Sequence, residues 1–349
     1  MKTLKKPLLI VVAILVILII SAFIYINLRL PKLPALTNKI IEKALVKEQR
    51  KIAGKQGYAQ NDSTKIWYNS ITPTDSIRGN IILIMGIAND ALAWPDYFIK
   101  PLVDSGYRVI RFDNRGTGMS DWNDDWSKSN AYSLDDMADD AISILDTLNI
   151  HKVHVIGVSL GGMIAQTLSI KYPDRVITLT SMMSTGDIMD KELPSMNKST
   201  VSDLMLAYLR YGLIKTETNQ IKLRLTARLL LMGDEKYDLD ISDISNSVLH
   251  NLRNRQGYNQ NASKQHIAAT YLSGSRYDDL TQLTTPTLII HGTTDPLIDF
   301  EHGKKCYEII PNAQYLWIVG MGHDIPPNFT NQIILGIVGH INSNSDGDE

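Results

Sequence analysis

From Leu8 to Ile26 the chain is apolar and uncharged, and Lys2, Lys5 and Lys6 stand just before this run. A helix of that length extends about 28 Å, close to the hydrocarbon thickness of a bilayer. No polar face interrupts it, so the pattern predicts a membrane-crossing signal-anchor helix and not a buried helix of a globular core. The competing reading is a secreted protein whose signal peptide is cleaved at the small pair Ser21-Ala22. Phe23 to Ile26 carry the apolar run past that pair and favour retention. Arg29, Lys32, Lys39 and Lys43 follow the span, so charge lies on both sides and the usual dominance of the first segment decides orientation. The Lys-rich end is expected in the cytoplasm and the remainder outside.

Leu30 to Ala35 contains two prolines and reads as a linker, after which Thr37 starts a helix through about Ile52 that holds the domain off the membrane. Strand patterns follow around 57–60 and 64–68. Strand and helix periods then alternate: strand 80–85, helix 95–104, strand 107–112, helix 134–148, strand 153–158, helix 160–172, strand 176–181. Such alternation predicts a mostly parallel sheet with helices on both faces. It breaks from Gly186 to Tyr277, where helical spacing dominates and no buried strand appears before Thr287 to Ile290; a last strand reads from Tyr315 to Val319. The expected division is a basic segment 1–7, the anchor 8–26, linker and helix 27–52, a first core part 53–185, an inserted helical lid 186–277, a second core part 278–340 and a disordered tail 341–349.

Gly157-Val158-Ser159-Leu160-Gly161 joins a β-branched strand to a helix, and glycines on either side of the serine remove the Cβ atoms that crowd so tight a turn. A serine hydroxyl attacks a carbonyl only if a neighbouring base takes its proton, and an imidazole, with an ordinary pKa of about 6.5, suits that task. Two later strands run into His291-Gly292-Thr293-Thr294-Asp295-Pro296 and Gly320-Met321-Gly322-His323-Asp324. The order Ser159, Asp295, His323 is that of an α/β-hydrolase arrangement, with His323 as base and Asp295 orienting its ring. The first oxyanion donor is expected to be the Leu160 N–H. The second lies on the loop Met85-Gly86-Ile87-Ala88, with Ile87 N–H preferred over its neighbours. Asp299 is the alternative acid, and His291 is read as structural. Asp324 is read as solvated, and His250 and His266 as surface or substrate-facing residues. Tyr208 to Tyr211 and Met182-Met183 are candidate pocket residues. His151 and His154 complete no metal site.

The strings Leu83-Ile84-Met85-Gly86, Ala93-Trp94-Pro95-Asp96 and Arg111 to Ser120, together with the serine turn and the loops of Asp295 and His323, resemble the α/β-hydrolase superfamily, in its esterase-like branch. The resemblance covers about residues 66–340. It implies a carboxylesterase acting through an acyl-enzyme, with the Asp113 to Ser120 string as scaffold beside the oxyanion strand. Met85 departs from the His-Gly pair common at that position. The competing enzyme readings are a cofactor-free haloperoxidase or an acyltransferase using the same triad; outside enzymes, the competitor is a membrane-tethered binding protein with an idle fold. A serine nucleophile argues against an epoxide hydrolase or dehalogenase.

Lys and Arg number 35 against 37 Asp and Glu, a formal net charge of −2, and no basic cluster follows the amino terminus, which argues against nucleic acid as a partner. The expected partners are a small, apolar ester and, through the first helix, the membrane. No dinucleotide or phosphate fingerprint and no metal-ligand pattern occurs, so no cofactor is expected. One cysteine, Cys306, allows no internal disulfide.

Overall fold

The computed structural model describes residues 5–47 and 51–344. Residues 1–4 of the basic segment, residues 48–50 near the end of the 37–52 helix expectation and the last five residues of the expected tail lie outside the described residues. An eight-stranded sheet forms from β1 (Lys55–Asn61), β2 (Thr64–Ile71), β3 (Gly79–Ile84), β4 (Tyr107–Phe112), β5 (Val153–Val158), β6 (Val176–Met182), β7 (Thr287–Gly292) and β8 (Gln314–Ile318). Their order across the sheet is β1-β2-β4-β3-β5-β6-β7-β8. β1 and β2 pair antiparallel, as do β2 and β4, and every other pairing is parallel. This is the sheet that the alternating sequence pattern implies.

Side chains leave a strand alternately to its two faces, and β3 divides its residues accordingly. Ile82 and Ile84 join one apolar cluster with Ala138, Leu145, Ile164 and Leu168, on α4 (Leu134–Thr147) and α5 (Leu160–Lys171). Ile81 and Leu83 join another with Phe98, Leu102, Ile333 and Ile337, on α3 (Asp96–Asp104) and α12 (Pro327–Ser343). Chain order places β4 on one side of β3 and β5 on the other, so the direction of winding reverses between β3 and β5. A crevice opens at such a switch point, beyond the carboxyl ends of the strands.

Between β6 and β7 the chain is helical: α6 (Lys198–Ala207), continued by a wider turn over Tyr208–Gly212, then α7 (Glu217–Leu231), α8 (Ile241–Asn254), α9 (Ala262–Ser273) and α10 (Tyr277–Leu280). These elements have their own apolar cluster, in which Ile221, Leu225, Val248 and Leu249 pack with Ile41 and Ala44 of α2 (Thr37–Leu45). The linker helix therefore belongs to the inserted layer, and it ends at Leu45, short of Ile52. α12 reaches Ser343, because Ile333, Ile337 and Ile341 form one fully buried stripe; residues 341–343 are helix and not tail.

The first helix, α1 (Lys5–Arg29), projects from this body. Its apolar side chains from Leu9 to Tyr25 are exposed, and its contacts concentrate at the carboxyl end, where Arg29 donates to Asp203 Oδ1 at 2.7 Å. α11 (Phe300–Ile309) completes the helices.

Candidate active site

Ser159 occupies the one-residue turn between β5 and α5, with φ 56 and ψ −122. This conformation is strained for a side-chain-bearing residue and persists only where the surroundings enforce it. Its N–H donates to Met182 O at 2.9 Å and its carbonyl accepts from Ser184 Oγ at 2.7 Å, so both backbone groups are tied. Closeness of the flanking elements demands the glycines: a Cβ on Gly157 would stand 2.0 Å from Gly161 O, and one on Gly161 would stand 2.0 Å from Ile84 O. The serine is thus fixed at the carboxyl end of β5, at the switch point, with the N-terminus of α5 behind it.

His323 follows β8 and Asp295 follows β7. His323 Nδ1 and Asp295 Oδ2 are 2.7 Å apart, with both side chains nearly buried. The other carboxylate oxygen, Oδ1, accepts from the N–H groups of Leu297 at 2.8 Å and Ile298 at 3.0 Å. Burial alone would raise the Asp295 pKa, but the imidazoles of His323 and His291 outweigh it and hold the carboxyl well below the usual range. An ionised Asp295 accepts at Nδ1–H and leaves Nε2 of His323 as the unprotonated ring nitrogen. Among the described residues no hydrogen bond joins Ser159 Oγ to His323, a contact that in unliganded sites commonly tightens only with substrate.

Met85 to Ala88 leave β3 beside the serine: the position of a Cβ on Gly86 lies 3.2 Å from Ser159 Cβ and 3.7 Å from its Oγ. Two bonds from outside hold this loop. Asn114 Nδ2 donates to Met85 O at 2.9 Å. Ala88, with φ 53, donates its N–H to His266 Nδ1 at 3.1 Å. His266 Nε2 in turn lies 2.9 Å from Arg115 O, which can only accept, so the ring carries its proton on Nε2. Ala88 N–H is therefore committed, whereas no hydrogen bond from Ile87 N–H occurs among the described residues. His266 is fully buried, and desolvation pushes its pKa down to about 4. The expectation of a surface or substrate-facing His266 fails because α9 turns Ala262, Gln265, His266 and Ala269 inward as one buried face.

Other residues singled out from sequence fall elsewhere. Asp299 accepts from Glu301 N–H at 3.0 Å and caps α11. His291 donates from Nε2 to Ile298 O at 3.1 Å and lies 3.4 Å from Asp295 Oδ2, behind the acid and away from the serine turn. Asp324 is not solvated: it is bonded by Tyr237 Oη and lies 3.3 Å from Arg228 Nη1. Its partners come from α7 and the loop after it, which also accepts the His323 N–H at Leu231 O at 2.8 Å. Met182 and Met183 are buried in the sheet core, and Arg210 of the Tyr208 to Tyr211 string sits on α1. A cavity of about 90 Å³ lined by Trp94, Pro95, Arg111 and Ser247 includes none of Ser159, Asp295 or His323. No cluster of three or more metal-binding side chains exists among the described residues.

The loop from Asp113 to Ser120 is scaffold of a specific kind. Asp113 accepts from Ala91 N–H and Met119 N–H, both at 2.8 Å, and pairs with Arg255 of the inserted layer. Arg115 holds Asp140 with two contacts of 2.7 Å. Sequence reading places Asn114 only within the Asp113 to Ser120 scaffold string and His266 only as a surface or substrate-facing residue; the bonds each makes to the Met85 to Ala88 loop are not readable, because the inward face of α9 mixes Ala262, Gln265, His266 and Ala269.

A family model described as the alpha/beta hydrolase fold matches residues 79–328. The chain is 29% identical over 291 residues to rhodomycin D methylesterase DnrP of Streptomyces peucetius, covering 80% of this chain and 96% of that one. It is 26% identical over 250 residues to the 2-hydroxy-6-oxononadienedioate/2-hydroxy-6-oxononatrienedioate hydrolase of Escherichia coli K12, covering 70% of this chain and 80% of that one. The meta-cleavage product hydrolase CumD of Pseudomonas fluorescens IP01 superposes with a TM-score of 0.62 at 24% identity, over 83% of this chain and 98% of that chain. With this sheet order, and a family model spanning most of the sheet and all of the inserted helices, the chain belongs to the α/β-hydrolase family and is a hydrolase of its esterase-like branch.

Proposed function

We propose that the protein cleaves a carboxylic ester through Ser159, His323 and Asp295 by way of an acyl-enzyme. His323 Nε2 takes the proton of Ser159 Oγ as the oxygen adds to the ester carbonyl. The imidazolium so formed is stabilised by Asp295, and the oxyanion is received by the N–H groups of Leu160 and Ile87. Collapse breaks the bond to the alcohol, which leaves with the proton from His323. Water then adds to the acyl carbon, its proton passing to His323, and the acid departs as Ser159 regains its hydrogen. The observation that carries this reading is the 2.7 Å contact of Asp295 Oδ2 with His323 Nδ1, combined with Oδ1 saturated by backbone donors; that pairing fixes the ring in the tautomer a general base requires. Ester cleavage is favoured over the carbon–carbon cleavage of the second relative because the methylesterase aligns over more of the chain. The inserted helices are proposed as the lid that selects the acyl and alcohol groups, and α1 as an uncleaved single-pass anchor, with the hydrolase outside the cytoplasmic membrane.

The test is fluorophosphonate labelling with p-nitrophenyl ester turnover. Both should be lost in Ser159→Ala with the melting temperature kept, and retained labelling in that variant would overturn the assignment. His323→Ala should lose turnover comparably, because groups acting as a unit are not additive.

A further inference from the structure

We infer that the carboxyl end of α6 and the turn after it form a wedge that seats in the interfacial layer of a phospholipid bilayer, alongside the anchor; this rests on α1 being the membrane span proposed above. Two contacts set the level. Arg29 of α1 donates to Asp203 Oδ1 at 2.7 Å and Ser199 Oγ at 2.6 Å. Six residues earlier in α1, the Arg210 guanidinium lies 4.6 Å from the centre of the Phe23 ring and donates to Asn27 Oδ1 at 3.1 Å. Passing from Arg29 to Phe23 moves about 9 Å along α1 towards its apolar middle. Passing from Asp203 to Arg210 moves a similar distance along α6, so the two helices run antiparallel and the tip of α6 stands beside the apolar run itself.

The side chains at that tip match the position. Leu213 is 62% exposed and Ile214 69%. Val201, Met205 and Leu209 continue an exposed apolar stripe at fourth-residue spacing down α6. In water such a stripe has no physical reason; beside an apolar span it has one, because interfacial helices bury an apolar face about 5–10 Å deep at the headgroup boundary. Tyr208 and Tyr211 flank the tip, as aromatic residues do at membrane interfaces. Arg210 keeps its charge at the edge by lying over Phe23 and Tyr211. Below the tip a groove of about 400 Å³ opens between α1 and the inserted layer, lined in part by Lys32 and Lys222, which suits anionic headgroups.

Full-length protein reconstituted in phosphatidylcholine vesicles with one-fifth phosphatidylglycerol tests this by site-directed fluorescence. Cysteines placed by Ile214→Cys and, independently, Met205→Cys carry a polarity-sensitive dye; native Cys306 is buried and serves as the unlabelled background. Val16→Cys reports the span and Ile77→Cys, exposed on the loop before β3, reports water. The expected result is blue-shifted emission at 214 and 205 with quenching by lipids spin-labelled near the headgroup, deep-label quenching at 16, and neither at 77. Water-like emission at 214 and 205 with deep quenching at 16 would overturn the wedge and leave the anchor standing. Water-like emission at 16 as well would overturn both.

Discussion

His266→Phe is the most direct probe of how the inserted layer serves the reaction. Phenylalanine keeps the ring volume and the edge contact with Tyr132, whose ring centre is 6.4 Å away, but it can neither accept from Ala88 N–H nor donate to Arg115 O. Leaving a part-buried N–H unpaired costs about 1–3 kcal/mol. Ala88 sits at φ 53, a conformation that stores about 1–3 kcal/mol and persists only under restraint. With the restraint gone, the loop relaxes and carries the adjacent Ile87 N–H away from the proposed oxyanion position. Outright loss of one such donor costs about 2.7–4 kcal/mol, which sets the ceiling. A partial displacement should lower kcat about ten- to a hundredfold, or about 1.4–2.7 kcal/mol, with KM nearly unchanged because ground-state contacts lie elsewhere. Fluorophosphonate labelling should slow but persist. Burial holds the His266 pKa down at about 4, so the ring is neutral throughout the working range and the deficit should be the same at each pH from about 6 to 9. The assay is steady-state hydrolysis of p-nitrophenyl acetate across that range. A kcat within about twofold of the parent, or a loss confined to KM, refutes the argument.

Asp295→Asn should lower kcat by about 10⁴ with little change in KM, whereas Asp299→Asn disturbs only the cap of α11 and should cost about 1 kcal/mol of stability or less; steady-state kinetics with the reverse ranking would transfer the acid role to Asp299. His154 and His266 are both pushed down from 6.5 to about 4 by burial, so the unfolded chain binds more protons between these values. Stability should be full above about pH 6.5 and fall as pH drops towards 4, by on the order of 3 kcal/mol per residue; thermal melts of His154→Phe should show a shallower decline than the parent, and an unchanged slope would contradict it. Gly161→Ala forces a Cβ to 2.0 Å from Ile84 O and should lower the denaturant midpoint sharply or abolish soluble expression, while an unchanged midpoint would mean that α5 and β3 are not this close. The full-length chain should resist alkaline carbonate extraction from membranes and keep its first residues by intact mass; a mature protein starting at Phe23 would establish cleavage.

What could be read from sequence and what could not divide along a physical line. Val153 to Val158 is legible because a strand buried on both faces needs consecutive apolar residues, and every residue of β5 is buried. The glycines around Ser159 are legible because one turn leaves no room for a Cβ. Each of these is a local demand written within a few residues. The His266 to Ala88 bond joins positions 178 residues apart and imposes nothing on the neighbours of either. Asn114 is legible as part of the Asp113 to Ser120 scaffold string, but its bond to Met85 O is not, for the same reason. Asp324 was misread because an acidic residue in a loop is ordinarily solvated; its buried setting is supplied by Arg228 and Tyr237 from a distant layer. α2 was misread because an amphipathic helix after a membrane span fits a spacer as well as a docking element, and only the apolar face of α8 decides between them.

The inserted layer holds the site from two sides, and this constrains how substrate enters. α9 fixes the Met85 to Ala88 loop through His266, and the end of α7 fixes His323 through Leu231 O and Asp324 through Arg228 and Tyr237. Swinging the whole layer open would break these bonds together and dismantle the proposed oxyanion loop and the proposed base at the moment substrate arrives. A lid that moves must therefore be a part of the layer carrying none of them. α7, α8 and α2 share one apolar cluster and are tied to one another. α6 is different: it contributes no residue to that cluster, its outer stripe is exposed, and its polar bonds run to Ser199 and Asp203 from α1. Motion of the carboxyl end of α6 relative to α7, α8 and α9 breaks none of these bonds to the site, whereas the start of α6 is tied to the Asp295 loop by the Asn197 N–H donating to Leu297 O at 3.3 Å. If α1 is the anchor proposed above, such motion would place the moving element against the membrane, and the proposed ester would then reach Ser159 from the bilayer surface and not from bulk water.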